Sequence, residues 1–359
     1  MNPVPARSTP RVHRLRRQPE SAPMVDYLPE VSEVEDTADG GALADIGYGE
    51  AHWRDAADPR RIVIGSPPVG PAMREVWSLT DRPTEAGWAG DIGYVLGGDF
   101  LFAHLLAAEH AGTDLAAITR AAYGRLLAFV RASPCPALLR MWNYVARIND
   151  HEHGIERYQA LCKGRAQAFA ETSLPAGCFP AATAIGSPGP GLSVHLLAGR
   201  HRGSPIENPR QLSAYHYPLT YGPRPPSFAR AMCYVGPGRR RELAISGTAS
   251  IVGHLTMHPR DLHLQLRETL RNLSTLLARA GAAVGHSGDT QLLLKVYLRE
   301  PSMAAAVEPA LRAWAGPIAR ILFLHGAICR RELDIEIEAH CSVRSPATRP
   351  QRQRVPVNH

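Results

Sequence analysis

The segment Leu333-Asp334-Ile335-Glu336-Ile337-Glu338-Ala339 alternates apolar and acidic residues. Read as a strand, it places Asp334, Glu336 and Glu338 on one face and Leu333, Ile335, Ile337 and Ala339 on the other. A solvated acidic edge strand has the same pattern. Glu336 is set apart by its neighbourhood. The preceding strand ends in Gly326-Ala327-Ile328-Cys329, and a hairpin joining the two strands would bring Cys329 beside the later one, with Arg320 as a cation in the same unit. A carboxyl partly buried at an interface has its pKa raised from about 4.3, toward the range of a general acid.

A second concentration of chemistry runs from Tyr215 to Arg230, where Tyr215, Tyr217, Tyr221, Arg224 and Arg230 sit among Pro218, Pro223, Pro225 and Pro226. Phenol donors and guanidinium forks on a proline-stiffened loop suit a planar or dicarboxylate ligand. The same residues could equally cover a seam with their rings and leave the guanidinium groups in water. In Glu156-Arg157-Tyr158 with Lys163-Gly164-Arg165, a helix spreads Arg157, Lys163 and Arg165 over different faces, and Arg165 is taken as the candidate ligand contact. Ser246-Gly247-Thr248-Ala249 has one glycine and lacks phosphate-loop spacing, so it is not a nucleotide motif. His151-Glu152-His153 reads as an exposed polar cap rather than a metal site.

The 359 residues suggest two domains, and 45% hydrophobic with 20% charged residues is ordinary for a globular chain. The net charge of +7 is carried by the ends: residues 1–20 hold five Arg against one Glu, residues 342–359 hold four Arg, and the remainder sums to −1. These proline-interleaved tails read as solvated, mobile ends, and a basic face for nucleic acid is not expected. No apolar run reaches the ~18 residues of a membrane span, and no secretory leader is read at the N-terminus. The six cysteines form no CxxC pair. They read as reduced thiols of a cytoplasmic protein.

Residues 1–50, rich in Pro, Glu and Asp, are expected to be a flexible lead-in. Strands are expected at 61–66, 72–79 and 92–108, a helix from Asp114 to Arg131, a strand at 137–147, a helix at 152–170, and strands at 179–186 and 191–199. The proline-rich stretch 201–229 reads as a connection. Beyond it come strands at 230–236 and 241–252, then a helix whose Leu262, Leu266, Leu270, Leu273 and Leu277 step by four and three, with Asp261 as N-cap and Gly281 past the end. A strand at 291–298, a helix from Ser302 to Trp314 and strands at 319–328 and 333–341 complete this half. Both halves carry strand, strand, helix, strand, helix, strand, strand. Leu139-Arg140-Met141-Trp142 echoes Leu294-Lys295-Val296-Tyr297, and in that overlay Glu336 falls where the first half has His195. The expected fold is α+β, built from two duplicated modules, each a mixed sheet with two helices on one face. The modules span 51–200 and 230–343, with a basic tail at 344–359, and a pocket is expected between them.

The second half, through Ile245-Ser246-Gly247, Lys295-Val296-Tyr297-Leu298, Arg320 and Ile335-Glu336-Ile337-Glu338-Ala339, resembles the reactive-intermediate deaminase (RidA, YjgF-like) and chorismate-mutase-like fold. That resemblance implies that Arg320 binds a ligand carboxylate. The chain from about 50 to 345 is similar to the chorismatases, through Glu156-Arg157-Tyr158 with Gly164-Arg165, the Tyr/Arg loop, Ser246-Gly247-Thr248-Ala249-Ser250 and Cys329-Arg330-Arg331-Glu332-Leu333 leading to Glu336. The resemblance implies cleavage of chorismate with release of pyruvate. Glu336 would protonate the enolpyruvyl methylene, and Cys329 would steer the ring toward 3-hydroxybenzoate, with 4-hydroxybenzoate beside it as in xanthomonad-type members. Tyr215, Tyr221, Arg224, Arg230, Gly247, Thr248, Ala249 and Arg165 would contact the substrate. The reaction is redox-neutral, so no cofactor or metal is expected, and the enzyme is expected to be a monomer. A hydrolytic chorismatase and a non-catalytic metabolite-binding module of the deaminase fold are the competing readings.

Overall fold

The computed structural model describes residues 24–29, 41–79, 82–110, 112–235, 240–282 and 291–344. Its first five strands are β1 (Met24–Pro29), β2 (Ala42–Gly49), β3 (Trp53–Arg54), β4 (Arg61–Gly65) and β5 (Met73–Ser78), in the sheet order β1-β5-β2-β4-β3. The expectation of a lead-in over 1–50 is corrected for the described residues 24–29 and 41–50: Val25 and Tyr27 of β1, and Leu43, Ala44, Ile46 and Tyr48 of β2, are buried. Two short strands were diluted by the Pro, Asp and Glu around them. Residues 1–23 and 345–359, which hold the basic tails apart from the end of the last strand, lie outside the described residues.

The first large unit contains β6 (Thr84–Ala89), β7 (Ile92–Gly97), β8 (Phe100–Ala107), α1 (Leu115–Ala132), β9 (Ala137–Ala146), a ribbon of β10 (His151–Glu152) and β11 (Ile155–Glu156), α2 (Arg157–Glu171), β12 (Ala181–Ser187) and β13 (Leu192–Gly199). The expected single strand 92–108 is the hairpin β7–β8, turning at Gly98 with φ 55°, a conformation glycine adopts without steric cost. The helix expected from 152 starts at Arg157, because the preceding residues pair as the ribbon and Glu156 with Gln159 forms a capping box. Within the ribbon, His151 and His153 are exposed, and Glu152 pairs with Arg147 and Arg157.

The second unit contains β14 (Ser204–Ile206), β15 (Ala231–Val235), β16 (Arg240–Thr248), a ribbon of β17 (Ile251–Val252) and β18 (Leu255–Thr256), α3 (Leu262–Arg279), β19 (Gln291–Leu298), α4 (Ala304–Ala315), β20 (Arg320–His325), β21 (Ala327–Ile328) and β22 (Ile335–Arg344). Asp261 caps α3 by accepting from Leu264 N at 3.0 Å, and Leu266, Leu273, Leu276 and Leu277 bury its inner face.

The two large sheets repeat one order. Setting aside β21, which joins the first sheet beyond β12, the first runs β6-β7-β8-β13-β9-β12, and the second runs β14-β15-β16-β22-β19-β20. In each, the last two strands are parallel and the helix between them supplies the crossover. α1 and α2 cover the outer face of the first sheet, while α3 and α4 cover the outer face of the second. The inner faces meet each other and the five-stranded sheet in one shared core.

The expected hairpin of 319–328 with 333–341 does not form. β20 pairs in parallel with β19 at the sheet edge, and β22 lies between β16 and β19. β21 leaves for the other sheet, where Ile328 pairs with Ile185 of β12. Gly326 permits this crossing, since a Cβ there would press on Ile185.

The packing of α1 on α2 depends on Gly164, where a Cβ would collide with the Ala116 carbonyl and Thr119. Gly164→Ala should therefore cost about 1–3 kcal/mol by overpacking. Thermal or urea unfolding beside the parent protein measures this, and an unchanged midpoint would show that the two helices separate freely.

Candidate active site

Because β22 is an interior strand, its acidic face cannot be a solvated edge. Glu336 and Glu338 are each only 5% exposed, on the side of the sheet away from α3 and α4. Asp334 lies before the strand begins and is not part of this pair. The two buried carboxyls have opposite environments. Glu338 Oε1 is 2.9 Å from Lys295 Nζ and accepts from Trp142 Nε1 at 2.8 Å, while Oε2 accepts from Arg140 Nη2 at 2.7 Å and Thr183 Oγ1 at 2.6 Å. Burial alone would raise its pKa, but Lys295 and Arg140 bring it down to about 2.

Glu336 has no hydrogen-bond partner among the described residues, and it faces a cavity of about 150 Å³. Burial, then the charge of Glu338, raise its pKa to about 8 against the opposing pull of Arg140 and Arg230. Gly247 makes room for the carboxyl. It sits where the pairing of β16 with β22 shifts register, and a Cβ there would collide with Glu336. Its N–H donates to Thr183 Oγ1 at 3.0 Å, which fixes the close approach.

The cavity opens between the two large sheets, and its wall carries three guanidinium groups. Arg330 lies 4.3 Å over the Tyr221 ring and 5.5 Å over that of Tyr217, and its Nη1 donates to His254 O at 3.0 Å and Thr256 Oγ1 at 2.9 Å. The β17–β18 ribbon thus fixes one edge of the fork. Arg230 Nη2 donates to Leu212 O and Tyr217 Oη, each at 2.8 Å, while Nε is buried without an acceptor among the described residues. Arg165 enters from α2 and is 2% exposed, also with an unpartnered Nε. Cys329 lines the same cavity, and burial followed by the neighbouring Glu336 raises its thiol pKa.

Of the residues singled out in the sequence, Glu336, Cys329, Arg165, Tyr221, Arg230, Gly247 and Ala249 meet at this cavity. Cys329 arrives by a route other than the expected hairpin, since it follows β21 where that strand joins β12. Arg320 is corrected: it begins edge strand β20, half exposed, with Nε 3.5 Å from Asp26, and it lies outside the cavity wall. Tyr215 is also placed elsewhere, packing on Phe179 and His216. Arg224 is exposed on the connection, and Thr248 is buried with Oγ1 donating to Ser246 O at 2.8 Å. Sequence reasoning passed over Arg330, Tyr217, Tyr158 and Thr183. Arg330 and Tyr217 lay inside quoted motifs, but no spacing rule distinguished Arg330 from Arg331, or Tyr217 from Tyr215.

No helix among the described residues is long and apolar enough to cross a membrane. Residues 75–198 match the model of the N-terminal region of FkbO/Hyg5-like chorismatases. The chain is 39% identical over 282 residues to a 3-hydroxybenzoate synthase of Streptomyces hygroscopicus, covering 76% of this chain and 82% of that protein. It is 37% identical over 299 residues to a chorismatase of the same species, covering 81% and 86%. A crystal structure of a chorismatase superimposes with a TM-score of 0.81 at 34% identity, covering 89% of this chain and 98% of the other. At 37–39% identity over most of each relative's length, and with the fold of a solved chorismatase, the chain belongs to the chorismatase family.

Proposed function

We propose that this enzyme cleaves chorismate to pyruvate and 3-hydroxybenzoate, with 4-hydroxybenzoate as a second ring product, and that Glu336 is the general acid. The observation carrying this reading is a carboxyl with no protein partner, facing the cavity and raised to about 8, so that it holds its proton at neutral pH. Chorismate carries two carboxylates, and Arg165, Arg230 and Arg330 supply charge-assisted donors for them. Binding both ends orients the enolpyruvyl methylene toward Glu336. Proton transfer to that carbon gives an oxocarbenium ion, the ring C–O bond breaks, and pyruvate leaves with the ether oxygen. For 3-hydroxybenzoate the neighbouring ring hydroxyl displaces it, its bond to its original carbon then opens, and the proton lost from the carbon that now bears oxygen returns to the Glu336 carboxylate; for 4-hydroxybenzoate the hydroxyl stays in place and the proton is lost from its own carbon. Substrate and products contain the same atoms, so no water or redox partner is consumed.

Cys329 supports the aromatising outcome. Its side chain occupies the cavity beside Glu336 with an un-ionised thiol, which leaves less room for an attacking water. The matching strand orders of the two large sheets support descent from a duplicated deaminase-like module, to which β1–β5 were added. The six unpaired cysteines fit a reducing, cytoplasmic compartment.

The purified protein should release pyruvate from chorismate in the presence of a chelator, and Glu336→Gln should lower kcat by about 10² or more while largely sparing binding. Because the protonated carboxyl is the active form, turnover should hold at neutral pH and fall as pH rises through about 8. Near-normal turnover in the glutamine variant would remove Glu336 from the acid role.

Arg330→Ala should raise KM by about ten- to a hundredfold through loss of a charge-assisted contact. Arg320→Ala should leave KM unchanged; steady-state kinetics of the two variants side by side would reverse this assignment if Arg320 proved the sensitive one. Cys329→Ala should still release pyruvate, with part of the ring product diverted to the non-aromatic diol by an admitted water. Chromatography of products from one chorismate stock tests this, and an unchanged product distribution would reduce Cys329 to a packing residue.

A further inference from the structure

Glu338 lies on the same strand face as Glu336, two residues further on and out of the cavity. Its four contacts come from three other strands: Arg140 and Trp142 of β9, Thr183 of β12 and Lys295 of β19. Lys295 is in turn held 2.6 Å from Glu75 of β5, which accepts from Tyr48 Oη at 2.5 Å and Trp77 Nε1 at 2.7 Å. Every lone pair of Glu338 is directed at a fixed donor. Such an anion cannot rotate away from its neighbour.

We propose that Glu338 is a positioning residue for the reaction: anchored by Lys295, Arg140, Thr183 and Trp142, its immobile negative charge keeps the proton on Glu336. The proposal rests on the reading of Glu336 as general acid. Around Glu336, burial and then Glu338 on its own strand favour the protonated form, while Arg140 from β9 and Arg230, just before β15, favour the ionised form. Glu156 at the N-cap of α2, Arg165 within that helix, and Arg330 after β21 line the cavity that Glu336 faces. Cys329 contributes a neutral thiol, Thr183 and Gly247 carry no charge, and Tyr297, the cross-strand neighbour on β19, is hydrogen-bonded to Tyr144 at 2.7 Å. With two guanidinium groups nearby, a buried carboxyl lacking the Glu338 charge would ionise more readily and lose its capacity to donate. Lys295 and Arg140 complete the device by keeping Glu338 itself ionised. Arg140 offsets part of its field at Glu336, and neither cation hydrogen-bonds to Glu336 among the described residues.

The test compares pH profiles of kcat for the parent, Glu338→Gln, and the double variant Glu338→Gln/Lys295→Met. The double variant removes one charge of each sign and leaves Glu75 with its Tyr48 and Trp77 donors. In parallel, carbon-13 spectra of protein labelled at the glutamate side-chain carboxyl follow the Glu336 signal, assigned by its loss in Glu336→Gln. The expected result is a fall of about fivefold or more in the ratio of kcat at pH 8 to kcat at pH 6, with the Glu336 signal titrating at least about one pH unit lower. An unchanged ratio and an unmoved Glu336 signal in a folded variant would overturn the proposal, as would failure of both variants to fold, which would assign Glu338 to stability alone. A Glu336 signal that moves while Glu336→Gln retains turnover would sink the acid assignment and leave the electrostatic coupling standing.

Discussion

The ammonium of Lys295 is fully buried between two carboxylates, and much of the remaining architecture follows from that constraint. A charge in such a place is tolerated only when it is paired and its partners are themselves hydrogen-bonded. Glu75 brings the five-stranded sheet to it, and Glu338 brings the second large sheet to which Lys295 already belongs. Through Glu338, Arg140 and Thr183 tie in the first large sheet. The rings of Tyr48 and Trp142 lie 5.4 and 5.6 Å from the ammonium and exclude solvent from the cluster. The three sheets therefore share one charged centre, whose register allows little sliding. The resulting gain is specificity of docking rather than net stability, since a buried ion pair is often matched by well-packed apolar residues.

The same cluster separates two carboxyls that chemistry alone would treat alike. Glu338 has two cations and two neutral donors, whereas Glu336 has a cavity. Pairs of titratable groups whose surroundings push their pKa values apart are a recurrent way to hold an acid at neutral pH. Gly247 and Thr183 enforce the distinction geometrically. The glycine lets Glu336 reach the cavity wall, and the threonine hydroxyl, bound to the Gly247 N–H, is spent on Glu338.

The repeated strand order adds a comparison within the molecule. β13 of the first sheet corresponds to β22 of the second, and His195, opposite Trp142, stands where Glu336 stands opposite Tyr297. His195 is wholly buried, stacked on Trp142 with ring centroids 4.7 Å apart, and burial lowers its pKa. The five-stranded sheet packs over this place, whereas the matching place in the second sheet stays open beneath Tyr217, Tyr221 and Arg330. Of two related positions, one is filled with rings and the other holds the cavity.

Local pattern in the chain determined the helices, most of the strands and the acidic face of β22, because a 3.6-residue or two-residue apolar period needs no distant partner to be read. The leucine stripe of α3 and the alternation at 333–339 are of this kind. Likewise, the echo of Arg140-Met141-Trp142 in Lys295-Val296-Tyr297 announced two similar halves. The neighbours of each strand were not legible, because register and sheet order are set by contacts between residues far apart in the chain. β21 is the clearest case: its two residues leave their own sheet, so Cys329 reaches Glu336 by crossing between halves, and Arg320 is left on an outer edge. The sequence placed Glu336 and Glu338 on one face and singled out Glu336 by its neighbours in the chain and by resemblance, without showing how the two environments differ. Only the tertiary structure decided which of them loses its proton, since that depends on Lys295, Arg140 and an empty volume contributed by strands up to about 200 residues away.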